Sequence, residues 1–99
     1  MILIHVSVQT KKGVAGEFER TLREVVDDAR KTAGCLKYEW YRVPDSPQRY
    51  VILGEFDAKE NFATYLSSAV VKRIGAELIP LLDAPPAFKH YEATILKGS

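Results

Sequence analysis

The sequence predicts an α+β fold in which a four-stranded antiparallel sheet is built in the order β-α-β-β-α-β, with its helices on one face. Three observations support this prediction. Side chains over Ile2–Gln9 alternate between an apolar face and a less apolar one, a helical apolar stripe follows, and a Pro- and Asp-containing turn joins two strand-like stretches. A second helical stretch and a final alternating stretch complete a ferredoxin-like arrangement. At 99 residues, the chain fits a single domain, 1–99.

The first half of the chain changes from the two-residue period of a strand to the helical period and back. A strand over Ile2–Gln9 is followed by an apolar stripe from Val14 to Ala33 in steps of three and four, which is typical of an amphipathic helix. Gly34 is placed to end that helix in the left-handed conformation. Strands are predicted over 35–43 and 49–57, joined as a hairpin by a loop with turn chemistry.

The second half repeats the change from helix to strand. The helical period returns at Ala58, and the adjacent β-branched residues Val70 and Val71 predict a break between two helices in tandem. Pro85 and Pro86 end the helical region. The last strand is predicted over 87–96.

Both faces of the predicted sheet carry apolar or aromatic side chains, although helices cover only one face. A second copy packed against the open face would bury the other side. The pattern therefore predicts a homodimer formed through the open sheet face.

Composition and charge exclude several classes of partner. The net charge is +1 and the basic residues are scattered, which is unlike a nucleic-acid-binding surface. No apolar run has the length of a membrane span, and the N-terminal residues lack the order of a signal peptide. A single cysteine, Cys35, excludes an intrachain disulfide, and no residues stand at metal-ligand spacing. We therefore expect a soluble cytoplasmic protein with no metal, nucleic-acid or membrane partner.

Four stretches together carry a resemblance to a known family. They are GCLKYEWYR followed by PD within 34–45, RYVILGEF at 49–56, LSS at 66–68, and LLDAPP before YE within 81–92. With them the chain resembles the antibiotic biosynthesis monooxygenase (ABM) domain family, in its small stand-alone quinol-monooxygenase-like branch. The resemblance implies a dimeric α/β barrel of two ferredoxin-like units, each with a pocket between sheet and helices. It also implies oxidation of quinols, anthrones or related aromatics by O₂ with no cofactor.

The chain departs from this family at two helix positions. Many members carry His at the position of Tyr65 and Pro-His-Phe where this chain has Ala69, Val70 and Val71. Some polyketide-oxidising members instead pair an Asn with a Trp four residues later. Asn61 and Tyr65 keep that spacing, one turn apart on one helix face.

Three residues are candidates for catalysis: Asn61, Tyr65 and His5. The Asn61 amide and the Tyr65 phenol would donate hydrogen bonds to substrate oxygens, and the His5 imidazole would act as a general base. Each also has a structural interpretation: an exposed residue near a helix start, a phenol bonded to a strand carbonyl, and a histidine within a strand.

Four residues are candidates for substrate binding: Trp40, Tyr38, Phe62 and His90. The aromatic rings would form flat walls against a substrate ring, although aromatic residues such as Trp40 more often fill a core. His90 is predicted on the last strand, which lies beside the first in this fold. If His90 and His5 share a face, they would form a pair lining the pocket.

The predicted function is cofactor-independent monooxygenation, with O₂, of a small quinol, anthrone or related aromatic compound. Two alternatives stay open on the sequence. One is a cofactor-free isomerase or tautomerase of a small oxo-compound. The other is a non-catalytic dimer that binds a small ligand in a pocket without the helix histidines.

Overall fold

A computed structural model of the chain describes residues 1–97 and contains one four-stranded antiparallel sheet. Its strands are β1 (Ile2–Gln9), β2 (Cys35–Arg42), β3 (Arg49–Phe56) and β4 (Ala87–Glu92). Their spatial order is β2-β3-β1-β4, so that β1 lies between β3 and β4. This order and the antiparallel pairing confirm the predicted ferredoxin-like sheet.

One long helix and a broken helical segment connect the strands. Helix α1 (Ala15–Arg30) joins β1 to β2, and the helical segment between β3 and β4 begins with α2 (Lys59–Leu66) and α3 (Ala69–Arg73). A π-helical turn over Ile74–Leu78 and a 3₁₀ turn over Ile79–Leu81 continue it. The element order is therefore the predicted β-α-β-β-α-β, with the second helical element in several short pieces.

The core lies between the helices and one face of the sheet. In β1 the even-numbered side chains are buried and the odd-numbered ones half-buried, as the alternation predicts. The matching stripe of α1 is almost completely buried at Phe18, Leu22, Val25, Val26 and Ala29. Each large apolar side chain buried in this way stabilises the fold by about 1.5–3 kcal/mol.

A β-bulge changes which face of the sheet carries the first side chains of β2. Cys35 pairs with Phe56 and Lys37 with Glu55, so that Leu36 is an extra residue opposite β3. Leu36 is 59% exposed. Strict alternation along β2 would place Leu36 on the same face as Tyr38 and Trp40, and the extra residue at the bulge prevents this.

The tandem helices break earlier than predicted. The break falls at Ser67 and Ser68, and both Val70 and Val71 lie inside α3. The backbone N–H groups of Ser67 and Ser68 donate to the carbonyls three residues earlier, at 3.1 and 2.9 Å, which closes α2 in a tightened turn. Ser68 then has extended backbone angles at the N-cap of α3, and its buried hydroxyl makes no hydrogen bond within residues 1–97.

The last strand is shorter than predicted, because β4 ends at Glu92 and not at residue 96. β4 pairs with β1, which begins at Ile2. The Ala93 N–H donates to the Met1 carbonyl at 2.8 Å, so the backbone pairing with the first strand extends one residue past the end of β4.

The second face of the sheet has no helix packed on it within residues 1–97. This open face carries the odd-numbered side chains of β1 and β3, including Leu3, His5, Val51 and Leu53, and all of these are half-buried. Tyr41 of β2 is exposed. Over the same described residues, no helix is long and apolar enough to cross a membrane.

Candidate active site

A cavity of about 440 Å³ lies between the helix-covered face of the sheet and the broken helical segment. This volume is within the usual range of small-molecule pockets. The lining comes from the sheet, from α1, α2 and α3, from the π-helical turn and from the residues after it. The lining residues are Ile4, Val6, Val8, Phe18, Tyr38, Ile52, Phe62, Tyr65, Leu66, Val71, Ile74, Gly75, Leu78, Ile79, Leu82, Pro86, Phe88 and His90.

Polar groups in this lining are few. Tyr38, Tyr65 and His90 are the lining residues with polar side-chain atoms, and all others are apolar or glycine. Among residues 1–97, no lysine, arginine, aspartate or glutamate lines the cavity. Such a wall suits an apolar ligand that is oriented by a small number of hydrogen bonds.

The two tyrosines form a hydrogen-bonded pair across the sheet–helix interface. Tyr38 lies in β2 and Tyr65 in α2, and their hydroxyl oxygens are 2.6 Å apart. Both residues are buried, at 4% and 5% exposure. Gly54 of β3 is paired with Tyr38 and leaves room for the Tyr38 ring. A Cβ at Gly54 would lie 3.3 Å from that ring.

Burial keeps both phenols neutral. Removal from water raises the pKa of Tyr38 and Tyr65, because it disfavours the phenolate. The hydrogen bond between them partly offsets this at Tyr38, where it lowers the pKa, whereas it adds to the rise at Tyr65.

An aromatic cluster connects the tyrosine pair to His90. The Tyr65 ring packs against Phe56 with the centroids 4.9 Å apart, and it lies nearly parallel to Phe62 at 6.2 Å. Phe62 in turn meets His90 of β4 edge-on at 5.0 Å. Phe62 thus contacts both the buried phenol pair and the imidazole.

The cavity opens between β4 and the helical segment. The lining residues there are exposed: Phe88 by 60%, Leu66 by 49% and Ile79 by 37%. His90 is also exposed. An imidazole at this opening is accessible to water and to an entering ligand, and imidazole is the side chain that most often exchanges protons near neutral pH.

The structure brings together four of the seven candidate residues: Tyr38, Tyr65, Phe62 and His90 all line the cavity. Trp40 does not. The guanidinium groups of Arg23 and Arg42 each lie 5.6 Å from the centroid of its ring, and the ring packs against Tyr50 at 5.9 Å. Trp40 therefore joins β2 to α1 and β3 outside the cavity.

Asn61 also lies outside the cavity lining. Its side-chain amide donates to the Asp57 carboxylate at 2.8 Å and sits against the backbone of Gly34. The Asp57 N–H donates to the Gly34 carbonyl at 2.9 Å. Asn61 thus fixes the first turn of α2 against the start of β2, one helical turn before Tyr65.

The two histidines lie on opposite faces of the sheet. His90 is paired with Ile4, whose side chain is on the helix-covered face, whereas His5 is paired with Leu53 and Lys89. The condition for a histidine pair, that both imidazoles share a face of the sheet, is therefore not met. His5 is on the open face, across the sheet from the cavity.

Several lining residues were not predicted as parts of a site. Phe88 precedes His90 by two residues in a strand, and this spacing was a usable signal that the two share a face. Ile74, Gly75 and Leu78 belong to the π-helical turn, a conformation for which the sequence offers no signal. Within residues 1–97, no three His, Cys, Asp or Glu side chains cluster as metal ligands would.

Fold and cavity together define a ferredoxin-like α+β protein with an apolar pocket between its sheet and its helices. The family model described as antibiotic biosynthesis monooxygenase matches residues 1–77. The chain belongs to this family. No sequence among the curated proteins matches it.

Solved structures with low sequence identity share the fold. A proposed antibiotic biosynthesis monooxygenase from Deinococcus radiodurans is 22% identical with a TM-score of 0.88, covering 100% of this chain and 98% of its own. One from Nitrosomonas europaea is 15% identical with a TM-score of 0.88, covering 96% and 100%. A protein from Mycobacterium tuberculosis is 16% identical with a TM-score of 0.86, covering 99% and 98%. At these identities the likeness shows the fold alone.

Proposed function

We propose that this protein is a cofactor-independent monooxygenase that uses O₂ to oxidise a small quinol, anthrone or related aromatic compound. The observation that carries the proposal is the buried Tyr38–Tyr65 pair in the wall of an apolar cavity whose other polar side chain is His90. Membership of the monooxygenase family supports the same reaction class. We place this activity in the cytoplasm, in a single domain over residues 1–99.

The proposed reaction needs a proton acceptor and a stabilised oxyanion. With anthrone as the example, the His90 imidazole takes a proton from the ring CH₂ carbon, and the tyrosine pair stabilises the charge that moves to the carbonyl oxygen. The electron-rich carbanion reduces O₂, and a C–O bond forms to give a hydroperoxide. Loss of water, with cleavage of the O–O bond, gives the quinone. One oxygen atom enters the product and the other leaves as water.

The proposed roles follow the positions of the residues. Tyr38 and Tyr65 hold the substrate oxygen, Phe62 packs against the substrate ring, and His90 exchanges the proton at the opening. Asn61 is proposed as a positioning residue, because it holds the helix turn that precedes Tyr65. Nothing in the contacts of His5 or Trp40 supports a role in the cavity.

We further propose that the protein works as a homodimer through its open sheet face, as a dimeric α/β barrel. This face carries Leu3, Val51 and Leu53 without any described helix over it. A second copy would remove these apolar groups from water. The partners proposed for this chain are thus a second copy of itself and a small aromatic substrate, with neither nucleic acid nor membrane.

An isomerase or tautomerase of a small oxo-compound is the second candidate. The same phenol pair would stabilise an enolate, and the same imidazole would move its proton, without O₂. The third candidate, a dimer that only binds a ligand, uses the cavity without any turnover. Dependence on oxygen separates the first candidate from the second, and turnover separates both from the third.

An isotope experiment tests the proposed function. Anthrone is incubated with protein under ¹⁸O₂, and the anthraquinone formed above a no-protein control is analysed by mass spectrometry. The proposal expects one labelled oxygen in the protein-dependent product. Absence of protein-dependent product, or product labelled from water instead of O₂, contradicts it.

A pair of matched glycine variants connects the activity to the cavity. Gly75 lines the cavity opening, Gly16 lies in the first turn of α1, and an added Cβ meets no atom within 4 Å at either position. Gly75→Leu is expected to narrow the cavity and lower turnover about tenfold or more, because misplaced reactants lose rate steeply. Gly16→Leu makes the same change away from the cavity and is expected to leave turnover unchanged.

A further inference from the structure

The tyrosine pair carries one hydroxyl proton that the hydrogen bond between the two phenols does not use. Two phenols carry two O–H protons, and the bond between Tyr38 and Tyr65 uses one of them. Among residues 1–97, neither hydroxyl makes a second hydrogen bond. Buried phenol hydroxyls normally find a partner, so the second proton is left for something outside the protein.

The adjoining cavity is where such a partner fits, since both tyrosines line it. We infer that the cavity selects an electrically neutral, flat compound that accepts this proton through one carbonyl oxygen, and that it rejects anionic analogues. The inference rests on the proposed function for the choice of site and adds the chemistry by which the site chooses its ligand.

Selection against anions follows from the lining. A carboxylate moved from water into this cavity would meet no lysine or arginine side chain there. Arg73, at the end of α3 in the segment that covers the cavity, is already bound to Glu24 at 2.6 Å and to Glu77 at 2.7 Å. A neutral carbonyl avoids the cost of an unpaired buried charge.

Either hydroxyl can donate within the pair. The hydroxyl that accepts this bond is free to donate to the ligand, and a hydroxyl that accepts one hydrogen bond donates more strongly. The space left by Gly54 fixes the position of the Tyr38 ring on the strand. The ligand carbonyl is therefore held by one hydroxyl of the pair, and the other hydroxyl strengthens that donor.

Equilibrium dialysis with fluorenone and fluorene tests the inference. Both probes are flat tricyclic compounds. Fluorenone has a carbonyl group where fluorene has a CH₂ group. The wild-type protein is expected to bind fluorenone about three- to tenfold more tightly than fluorene, the value of one net hydrogen bond. A fluorenone carboxylate is expected to bind about tenfold more weakly than fluorenone, or less well still.

Substitutions test whether the preference for fluorenone over fluorene comes from the Tyr38–Tyr65 pair. In Tyr38→Phe/Tyr65→Phe, fluorenone is expected to bind no better than fluorene, while the affinity for fluorene stays close to that of the wild type. Tyr50→Phe is the matched control, because the Tyr50 hydroxyl donates to Glu19 and the residue does not line this cavity. That variant is expected to keep the full preference.

Two results overturn the inference: equal wild-type affinity for fluorenone and fluorene, or a preference that survives in the double variant. If the double variant does not fold, the infrared carbonyl stretch of fluorenone bound to the wild-type protein decides. A shift to lower frequency than in an apolar solvent supports the hydrogen bond, and an unshifted band overturns it. Fluorenone is not a substrate for oxygenation, so these results are independent of whether the protein turns over anthrone.

Discussion

The hydroxyl oxygens of Tyr38 and Tyr65 lie 2.6 Å apart and join β2 to α2, in side chains that are almost fully buried. One polar contact thus fixes the helix against the sheet at the wall of the cavity. The same contact leaves a hydroxyl proton for a ligand. Stability and binding therefore depend on the same two side chains, and each can be measured separately.

The first prediction concerns the stability of this pair. Tyr38→Phe and Tyr65→Phe are each expected to lower the free energy of unfolding by about 1 kcal/mol, because each removes the same buried hydrogen bond. The double variant is expected to lose less than the sum of the two, since the bond can be lost only once. Urea unfolding of the four proteins gives the coupling energy, and strictly additive losses would contradict a shared bond.

The second prediction concerns alkaline pH. Burial raises the pKa of Tyr38 and Tyr65 above the ordinary value of 10.0, and burial with the Glu19 contact raises the pKa of Tyr50 to about 12. The unfolded chain therefore loses these protons first. The stabilising contribution is complete below pH 10 and is lost as the pH rises through the folded-state pKa values.

Urea unfolding between about pH 9 and about pH 11.5 measures this loss. The wild-type free energy of unfolding is expected to fall over that range, and more steeply than in Tyr38→Phe/Tyr65→Phe, which lacks two of the three phenols. The lysine and arginine content is the same in both proteins, so the comparison isolates the phenols. Equal slopes would contradict the raised pKa values.

The third prediction concerns Gly34, the last residue of the connection from α1 to β2. Its φ of +76° lies in the left-handed region, which favours glycine. A Cβ there would collide with the Asn61 amide and the Asp57 carboxylate. Gly34→Ala is expected to destabilise the protein by about 2 kcal/mol, from left-handed strain and from displacement of those groups. Thermal unfolding measures the change.

Gly16 provides the control for that substitution. It lies in α1 without a positive φ, and a Cβ added there would meet open space. Gly16→Ala is expected to stabilise the helix by about 0.5–1 kcal/mol. Similar losses in the two alanine variants would remove the special role given to Gly34.

The strands and the core were predictable because their signals are local. Alternation over β1 gives its buried face directly, and the stripe of α1 gives its packing side. The bulge at Leu36 and the end of β4 at Glu92 were not predictable in this way. Both depend on the partner strand, whose register and ends are set by the fold as a whole.

The candidate site was predictable in residue types but not in pairings. Tyr38 and Tyr65 were each selected from their own element, yet their shared hydrogen bond joins residues 27 positions apart. His5 and His90 were selected on the same grounds, and one residue of register places them on opposite faces. Whether side chains from two strands lie on the same face of the sheet depends on the register between those strands. Alternation within a single strand does not determine that register.

The fourth prediction concerns the dimer. The wild-type protein is expected to show a light-scattering mass near twice its 11.1 kDa monomer mass. Leu53→Lys places a charge in the middle of the open face and is expected to shift the mass toward the monomer, because a charge without a partner is costly to bury. Ala63→Lys, on the exposed side of α2, is the control and is expected to remain dimeric. A monomeric wild-type protein contradicts the barrel.

The most direct test of the central claim is oxygen consumption by chelator-treated wild-type protein with anthrone and a small panel of hydroquinones, measured against a no-protein control. Cofactor-independent monooxygenation predicts protein-dependent uptake of one O₂ per substrate that persists after chelation and falls in Gly75→Leu. Uptake no greater than the control across the panel would contradict the account, as would uptake that the chelator abolishes.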